Sequence, residues 1–319
     1  NAIASAITSA SSGAVTIDNT HPSISSVTFA SGDYVNNAED EAAINLVIAT
    51  SGVEDGNTVT ATLNSAGYTC NVSSDACTAS ITSAGLKGLT DGTAYTFSVA
   101  VSDAAGNAAT ANTDESFTYD VTAPTSTTAV LAVGGSGNGN NGDAVTMTLD
   151  PSETVGTPTC TFTSDGDAMA GTVSYSTTGA DSHVATVTVA DGDSDGAVAF
   201  SCTYADLAGN DIASAITSAS SGSVTIDNTH PSISSVTFAS GDYVNNAEDE
   251  SAINLVIVTS GVEDGETVTA TLNSAGYTCD ISSNTCTASI TSNGLKALTS
   301  GTSYTFSVAV SDTAGNAAT

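Results

Sequence analysis

Hydrophobic residues recur at every second position over short stretches of this chain. Tyr95, Phe97, Val99 and Val101 alternate with Thr96, Ser98, Ala100 and Ser102, Val59, Ala61 and Leu63 with Thr58, Thr60 and Thr62, and Ile44, Leu46 and Ile48 keep the same beat. A period of two places one face of each stretch against a core and leaves the other in water, which predicts β-strands. Turn signals at Ser31-Gly32-Asp33, Glu54-Asp55-Gly56, Asp91-Gly92 and Ala105-Gly106-Asn107 separate about seven such strands, and no stretch of helical period and adequate length competes. About seven short antiparallel strands in about 100 residues is the pattern of a β-sandwich. The expected class is all-β.

The pattern repeats. Residues 1–110 and 210–319 align without a gap and differ at 14 positions. A weaker period lies inside the first: Asp18-Asn-Thr-His-Pro22, Asp120-Val-Thr-Ala-Pro124 and Asp227-Asn-Thr-His-Pro231 share Asp-x-Thr-x-Pro at spacings of 102 and 107 residues. Each follows an alternating stretch, and its proline keeps one strand from running into the next, as expected of a linker. Repeats of about 100 residues are whole domains, not solenoid turns. The expected organisation is the last strand of a preceding domain over residues 1–18, a domain of type A over 19–120, a type B over 121–227, and a second A over 228–319 that lacks its final strand. The chain reads as a cut from an alternating tandem array.

Composition narrows the partners. The 319 residues hold 34 acidic side chains against two lysines, a formal net charge of -32. Binding to nucleic acid or to an anionic membrane surface needs the basic residues that are missing here, so neither is an expected partner. Yet only 11% of residues are charged and 40% are apolar, a composition that folds. No run of 18 apolar residues and no basic-then-apolar leader is visible, so neither membrane insertion nor a signal peptide is expected within this stretch.

Asp103-Ala-Ala-Gly-Asn107, Asp206-Leu-Ala-Gly-Asn210 and Asp312-Thr-Ala-Gly-Asn316 close the penultimate strand of each repeat. With the Asp-x-Thr-x-Pro linker, they make the chain similar over nearly its whole length to the bacterial immunoglobulin-like domains strung in tandem in very large surface adhesins, biofilm proteins and some surface-layer proteins. The resemblance implies an extracellular array of immunoglobulin-like sandwiches forming an extended rod, often stiffened by calcium. It departs from antibody-type domains in having no Trp and in the position of its cysteines.

Six cysteines fall in pairs, Cys70 with Cys77, Cys160 with Cys202 and Cys279 with Cys286. An even count paired within each repeat predicts disulfides and an oxidising compartment, with the first and third pairs stapling a hairpin and the second joining strands C and F. Zinc is the rival, but CxxC spacing is absent and histidines are few.

In an immunoglobulin-like topology the incoming linker, the B-to-C loop and the F-to-G loop share one pole. That pole gathers Asp18, Glu54, Asp55, Asp103 and Asn107 in the first A copy, Asp120, Glu153, Asp206 and Asn210 in B, and Asp227, Glu263, Asp264, Asp312 and Asn316 in the second A copy. Asp33, Glu39, Asp40, Glu41 and Asp91 fall at the opposite pole. With almost no basic residue to neutralise them, a divalent cation is the natural counter-charge, and Ca2+ takes six to eight oxygen ligands of this kind. The alternatives are a scattered acidic surface that keeps the protein soluble in saline, and, for the Asp-x-Ala-Gly-Asn turn, purely local hydrogen bonding. Asp191-Gly-Asp-Ser-Asp195-Gly196 starts like a calcium-binding helix-loop-helix motif, but its twelfth position is Cys202, so it reads as an expanded turn.

No organic cofactor is implied, and catalysis has little to work with: His21, His183 and His230 have no activated nucleophile beside them. The expected roles are the extender of an adhesin, a filament or surface-layer building block, or a module binding glycan or protein. The expected partners are neighbouring copies of the chain and cell-surface glycans.

Overall fold

The computed structural model describes residues 16–134, 137–179 and 181–319. Most of the strand expected over 1–18 lies outside them. The chain divides into two compact units, one running to Ala123 and including Leu207–Asn210, the other comprising Pro124–Asp206 and Asp211–Thr319. Within them lie three separate apolar cores.

The first A copy begins with β1 (Ser23–Phe29), β2 (Tyr34–Val35), β3 (Ile44–Ser51), β4 (Thr58–Leu63), β5 (Ala66–Asn71) and β6 (Ala76–Ile81). A one-turn helix, α1 (Ser83–Leu86), leads to β7 (Thr93–Thr96), β8 (Ser98–Ala100) and β9 (Ser116–Tyr119). One sheet has the order β1-β3-β6; the other combines β2-β9-β7 with β5-β4-β8, since β7 and β8 are halves of one strand interrupted at Phe97. This is an immunoglobulin-like sandwich, and its alternation is the one in the sequence: Leu46, Ile48, Val59, Ala61, Leu63, Phe97 and Val99 are all buried. Phe29 from one sheet meets Phe97 and Phe117 from the other at ring-centroid distances of 5.0 and 4.8 Å. These rings fill a centre that has no Trp.

α1 is absent from the sequence expectation. Thr82 caps it, its hydroxyl accepting from Gly85 N at 3.2 Å, a local side-chain bond that starts a helix without any periodic pattern. Gly85 leaves room for the Tyr68 hydroxyl, since a Cβ would stand 1.9 Å from Tyr68 Oη and the tyrosine ring would have to shift.

The B segment runs β10 (Ser126–Val133), β11 (Asn138–Gly139), β12 (Ala144–Pro151), β13 (Thr159–Ser164), β14 (Asp167–Ala168), β15 (Ser174–Thr177), β16 (His183–Thr188), β17 (Gly196–Thr203) and β18 (Thr225–Ile226). Its sheets are β10-β12-β16-β15 and β11-β18-β17-β13-β14. The second A copy contributes β19 (Ser232–Phe238), β20 (Ile253–Ser260), β21 (Thr267–Leu272), β22 (Ala275–Asp280), β23 (Thr285–Ile290), the helix α2 (Ser292–Lys296) and β24 (Ser307–Ala309). Its sheets, β19-β20-β23 and β22-β21-β24, match those of the first copy, without counterparts of β2, β7 or β9 among the described residues. No helix among the described residues is long and apolar enough to cross a membrane.

Disulfides join Cys70 to Cys77, Cys160 to Cys202 and Cys279 to Cys286. Cys160 and Cys202 face each other across β13 and β17, the C and F strands. The short bridges differ from the hairpin staple read in the sequence: β5 and β6 belong to different sheets, as do β22 and β23. Each of these bridges ties the two sheets together where the chain crosses between them. The hairpin is one strand earlier, where Asn64 and Ser65, both at positive φ, turn β4 into β5.

Candidate metal centre at the incoming pole

The Asp-x-Ala-Gly-Asn turn is built from its own side chains. Asn107 donates its backbone N–H to Asp103 Oδ1 and its side-chain amide to Asp103 Oδ2, both at 2.8 Å, and Gly106 supplies the positive φ of 92° that closes the turn. The Asn107 amide thereby holds the Asp103 carboxyl below its ordinary range. In the second copy Asn316 binds Asp312 in the same way, at 2.8 and 3.0 Å, with both residues buried.

The same asparagine also reaches the linker. Asn107 Nδ2 donates to the carbonyl of Asp18 at 3.1 Å, Asn210 Nδ2 to that of Asp120 at 2.8 Å, and Asn316 Nδ2 to that of Asp227 at 2.7 Å. The two sequence motifs are therefore one device, an amide clamp from the F-to-G turn onto the residue that begins each linker. A histidine adds to it in the A copies, since His21 Nδ1 lies 2.9 Å from Ala108 O and His230 Nδ1 3.0 Å from Ala317 O.

The B-to-C loop completes the pole. Glu54 Oε2 accepts from Ala104 N at 2.8 Å, and Glu263 Oε2 from Thr313 N at 3.0 Å, a bond that lowers the Glu263 carboxyl. In B, Glu153 and Asp206 each offer a carboxylate oxygen, with the two within 4.8 Å of one another. Asp55 and Asp264 are occupied differently, accepting from the backbone of Ser74 and Ser283 at 2.8 and 2.7 Å. They hold the β5-to-β6 and β22-to-β23 crossings instead of the linker.

Electrostatics single out Asp227. Its burial comes first, and the carboxylates of Asp312, Asp195 and Glu263 around it add to the effect, so its carboxyl is raised above the ordinary value. Asp195 belongs to the Asp-rich turn of B, and its Oδ1 accepts from Asn228 N at 2.6 Å. Asp193 in that turn takes the N–H groups of Ala170 and Ala190 at 2.8 and 2.9 Å. The Asp-rich stretch is an expanded turn that fastens the outgoing linker, the task Asp91 performs in the first copy by accepting from Val121 N at 2.7 Å.

At the far pole Asp40 is not a surface charge. It is 3% exposed and accepts from Tyr119 Oη at 2.6 Å. Nothing in the alternation of the sequence marked that pair.

No known family profile matches the chain, and no curated protein does either. Solved structures give fold-level likenesses. A structure of a 1.5-MDa bacterial ice-binding adhesin, described for host cell surface retention, is 23% identical, with 89% of this chain and 90% of that one covered and a TM-score of 0.42. A Ca2+-stabilized adhesin with which an Antarctic bacterium binds ice is 23% identical, with 92% and 71% covered and a TM-score of 0.45. A tetra-tandem repeat from the extending region of a large adhesion protein is 18% identical, with 93% and 71% covered and a TM-score of 0.30.

Proposed function

We propose that this chain is a structural repeat region of a secreted cell-surface protein of a prokaryote living in saline water, the extender of an adhesin, with domain boundaries after residues 18, 120 and 227. The observation that carries the reading is the recurrence of one clamp at each linker. Asn107, Asn210 and Asn316 seize the linker carbonyls of Asp18, Asp120 and Asp227 in a chain whose residues 1–110 and 210–319 differ at only 14 positions. Near-identical repetition supplies length, whereas a recognition surface needs one distinct site. The histidines serve the scaffold: His21 and His230 bind backbone carbonyls, and His183 is buried in β16. They activate no nucleophile, and the role is not enzymatic.

Calcium belongs to this reading. The raised carboxyl of Asp227 among like charges fits a site that would take a cation, and the donors are hard oxygens. Asp227, Glu263 and Asp312 would hold it in the second A copy, Asp18, Glu54 and Asp103 in the first, with Asp120, Glu153 and Asp206 the corresponding set in sequence. The ion would supply the positive charge that two lysines cannot. Small-angle scattering with Ca2+ and with chelator tests this: the maximum dimension is expected to shrink or broaden on chelation, and an unchanged curve counts against junctional calcium. Electron microscopy of native material separates an extender from the runner-up, since a helical or lattice repeat would make the chain a filament or surface-layer subunit.

A further inference from the structure

An Asn-Asn pair follows the short strands β2 and β11, as Asn36-Asn37 and Asn140-Asn141, and recurs as Asn245-Asn246 in the second A copy. In both A copies the first of these side chains is locked by its own loop. Asn36 Oδ1 accepts from Ala38 N and Glu39 N at 2.9 and 3.0 Å, and Asn36 N donates to Glu39 Oε2 at 3.1 Å. Asn245 makes the same three bonds, at 2.9, 3.1 and 2.9 Å. With its oxygen engaged, what the amide offers outward is its Nδ2 donor, in a direction that its own loop has already set.

In the first compact unit that donor is used. Asn36 Nδ2 donates to Ala208 O at 2.9 Å and Asn37 N to Asn210 Oδ1 at 3.0 Å, both in the segment Leu207–Asn210 that this unit includes. Asn210 thus works from both ends of one amide: its oxygen takes Asn37, and its nitrogen holds the Asp120 carbonyl at 2.8 Å. It is 7% exposed, and a flipped amide would set its nitrogen against an N–H and its oxygen against a carbonyl. Gly209 lets the turn come this close, since its φ is 92° and a Cβ there would stand 3.3 Å from Asn36 Nδ2. In the second compact unit Gly315 has a φ of 94°, and a Cβ on it would likewise stand 3.3 Å from Asn140 Nδ2. An Asp-x-Ala-Gly-Asn turn meets an Asn-Asn pair in both places.

We propose that the Asn-Asn pair of one sandwich is a docking surface for the Asp-x-Ala-Gly-Asn turn of the next, an uncharged latch that joins successive repeats. The charge of the chain favours amides in this role. Carboxylates crowd the pole around the turn, and two lysines in 319 residues give it almost no cation to pair with. An amide-to-carbonyl bond carries no net charge and needs no counter-ion there. Because Asn210 joins Asn37 to Asp120, the latch also braces the linker clamp, and the three groups form one hydrogen-bonded chain. A and B each carry both halves, so the latch fits either order of types and fixes only the direction, head to tail. The proposal rests on the extender reading for its purpose, while its atoms need no ion.

Hydrogen exchange of the full chain, with Ca2+ and with chelator, tests this. Asn36→Asp keeps the oxygen that Ala38 and Glu39 bind but turns a carboxylate oxygen toward Ala208 O. Exchange over residues 207–212 and 120–123 is expected to quicken about tenfold in either condition, with β3 and β6 unchanged. Asn140→Asp, the independent case, is expected to quicken residues 313–318 and to leave 207–212 alone. Two controls are expected to leave 207–212 as it was: Asn37→Ala, which keeps the N–H that Asn210 accepts, and Asn245→Asp, which makes the same change in the same loop of the other A copy. Unchanged exchange at 207–212 in Asn36→Asp, or at 313–318 in Asn140→Asp, overturns the proposal. So does an equal quickening by either control, which would trace the effect to the loop or to the added charge, a loss that spreads to β3 and β6, or an effect confined to Ca2+. An extender without junctional calcium would fail the scattering test and still pass this one.

Discussion

The first A copy and the B segment close the same sandwich by different means. In A the disulfide Cys70–Cys77 crosses from β5 in one sheet to β6 in the other, three Phe rings fill the centre, and Tyr119 on the last strand is bonded to the buried Asp40. In B the disulfide Cys160–Cys202 lies within one sheet, Phe162 and Phe200 are neighbours across the same strand pair, and an extra edge strand, β15, widens the other sheet. What the two share is the Asn clamp on the linker. The core and its covalent tie are free to vary as long as the strand framework delivers that clamp to the pole.

The largest expected difference follows from loop length. The bridge in B spans 42 residues of sequence and that in A only 7. The chain-entropy model assigns about 4 kcal/mol to the longer loop and about 2.5 kcal/mol to the shorter. Replacing Cys160 and Cys202 together by Ala is expected to destabilise B by more than the matching change at Cys70 and Cys77 destabilises the first A copy. Hydrogen exchange of β12 and β16 against β3 and β6 in the full chain measures both, and equal losses would break the comparison. Next comes Tyr119→Phe, which removes the donor to Asp40 Oδ2 while Asp40 Oδ1 is already buried without a partner. A loss of about 1–3 kcal/mol is expected in the first A copy, with exchange in B unchanged.

The alternation at Ile44–Ile48, Val59–Leu63 and Tyr95–Val101 made the sandwich legible, because burial on one face imposes a period of two whatever the tertiary detail. The two linker motifs were visible as well, but not that Asn107 bonds Asp18 across 89 residues of sequence, since a hydrogen bond between distant segments leaves no periodic trace. Cys70 and Cys77 read as a hairpin staple because two alternating stretches around a polar turn look alike whether they pair or cross between sheets. Asn64-Ser65, the true hairpin turn, was the signal that separates the cases. Asp40 was hidden among Glu39 and Glu41, which share its charge; only the fold shows that the middle residue turns inward.

Acid sharpens the contrast between the linkers that leave A and B. The Thr122 hydroxyl and the Val121 N–H lower the Asp91 carboxyl below its ordinary 3.8. Its contribution is therefore complete above that value and is lost as pH falls through the lowered one. Asp227 has the opposite sign. Its carboxyl is raised by burial and by Asp312, Asp195 and Glu263, so the cost of its charge is present above the raised value and disappears once pH drops below the ordinary one. Exchange at residues 225–230 is expected to slow between neutral pH and about 4, while that at 121–123 holds until the pH falls below that range, after correction for the intrinsic rate. Identical profiles would remove the distinction.

The smallest effect concerns a feature of A alone among the described residues, the helix after β6 and the lysine that follows it. Lys87 Nζ lies 2.8 Å from Glu41 Oε1, with the two side chains 44% and 65% exposed. The Glu41 partner raises the Lys87 ammonium above its ordinary value, but water and salt screen a pair so open. Lys87→Ala is expected to change stability by less than about 0.5 kcal/mol, and Lys296→Ala, which frees Glu250 in the second copy, by no more. Denaturant midpoints of the single and double variants in low and high salt measure this. If either lysine proved to be worth as much as the Tyr119 hydroxyl, the view that the inward Asp40, not the outward Glu41, secures this end of the A sandwich would have to be reversed.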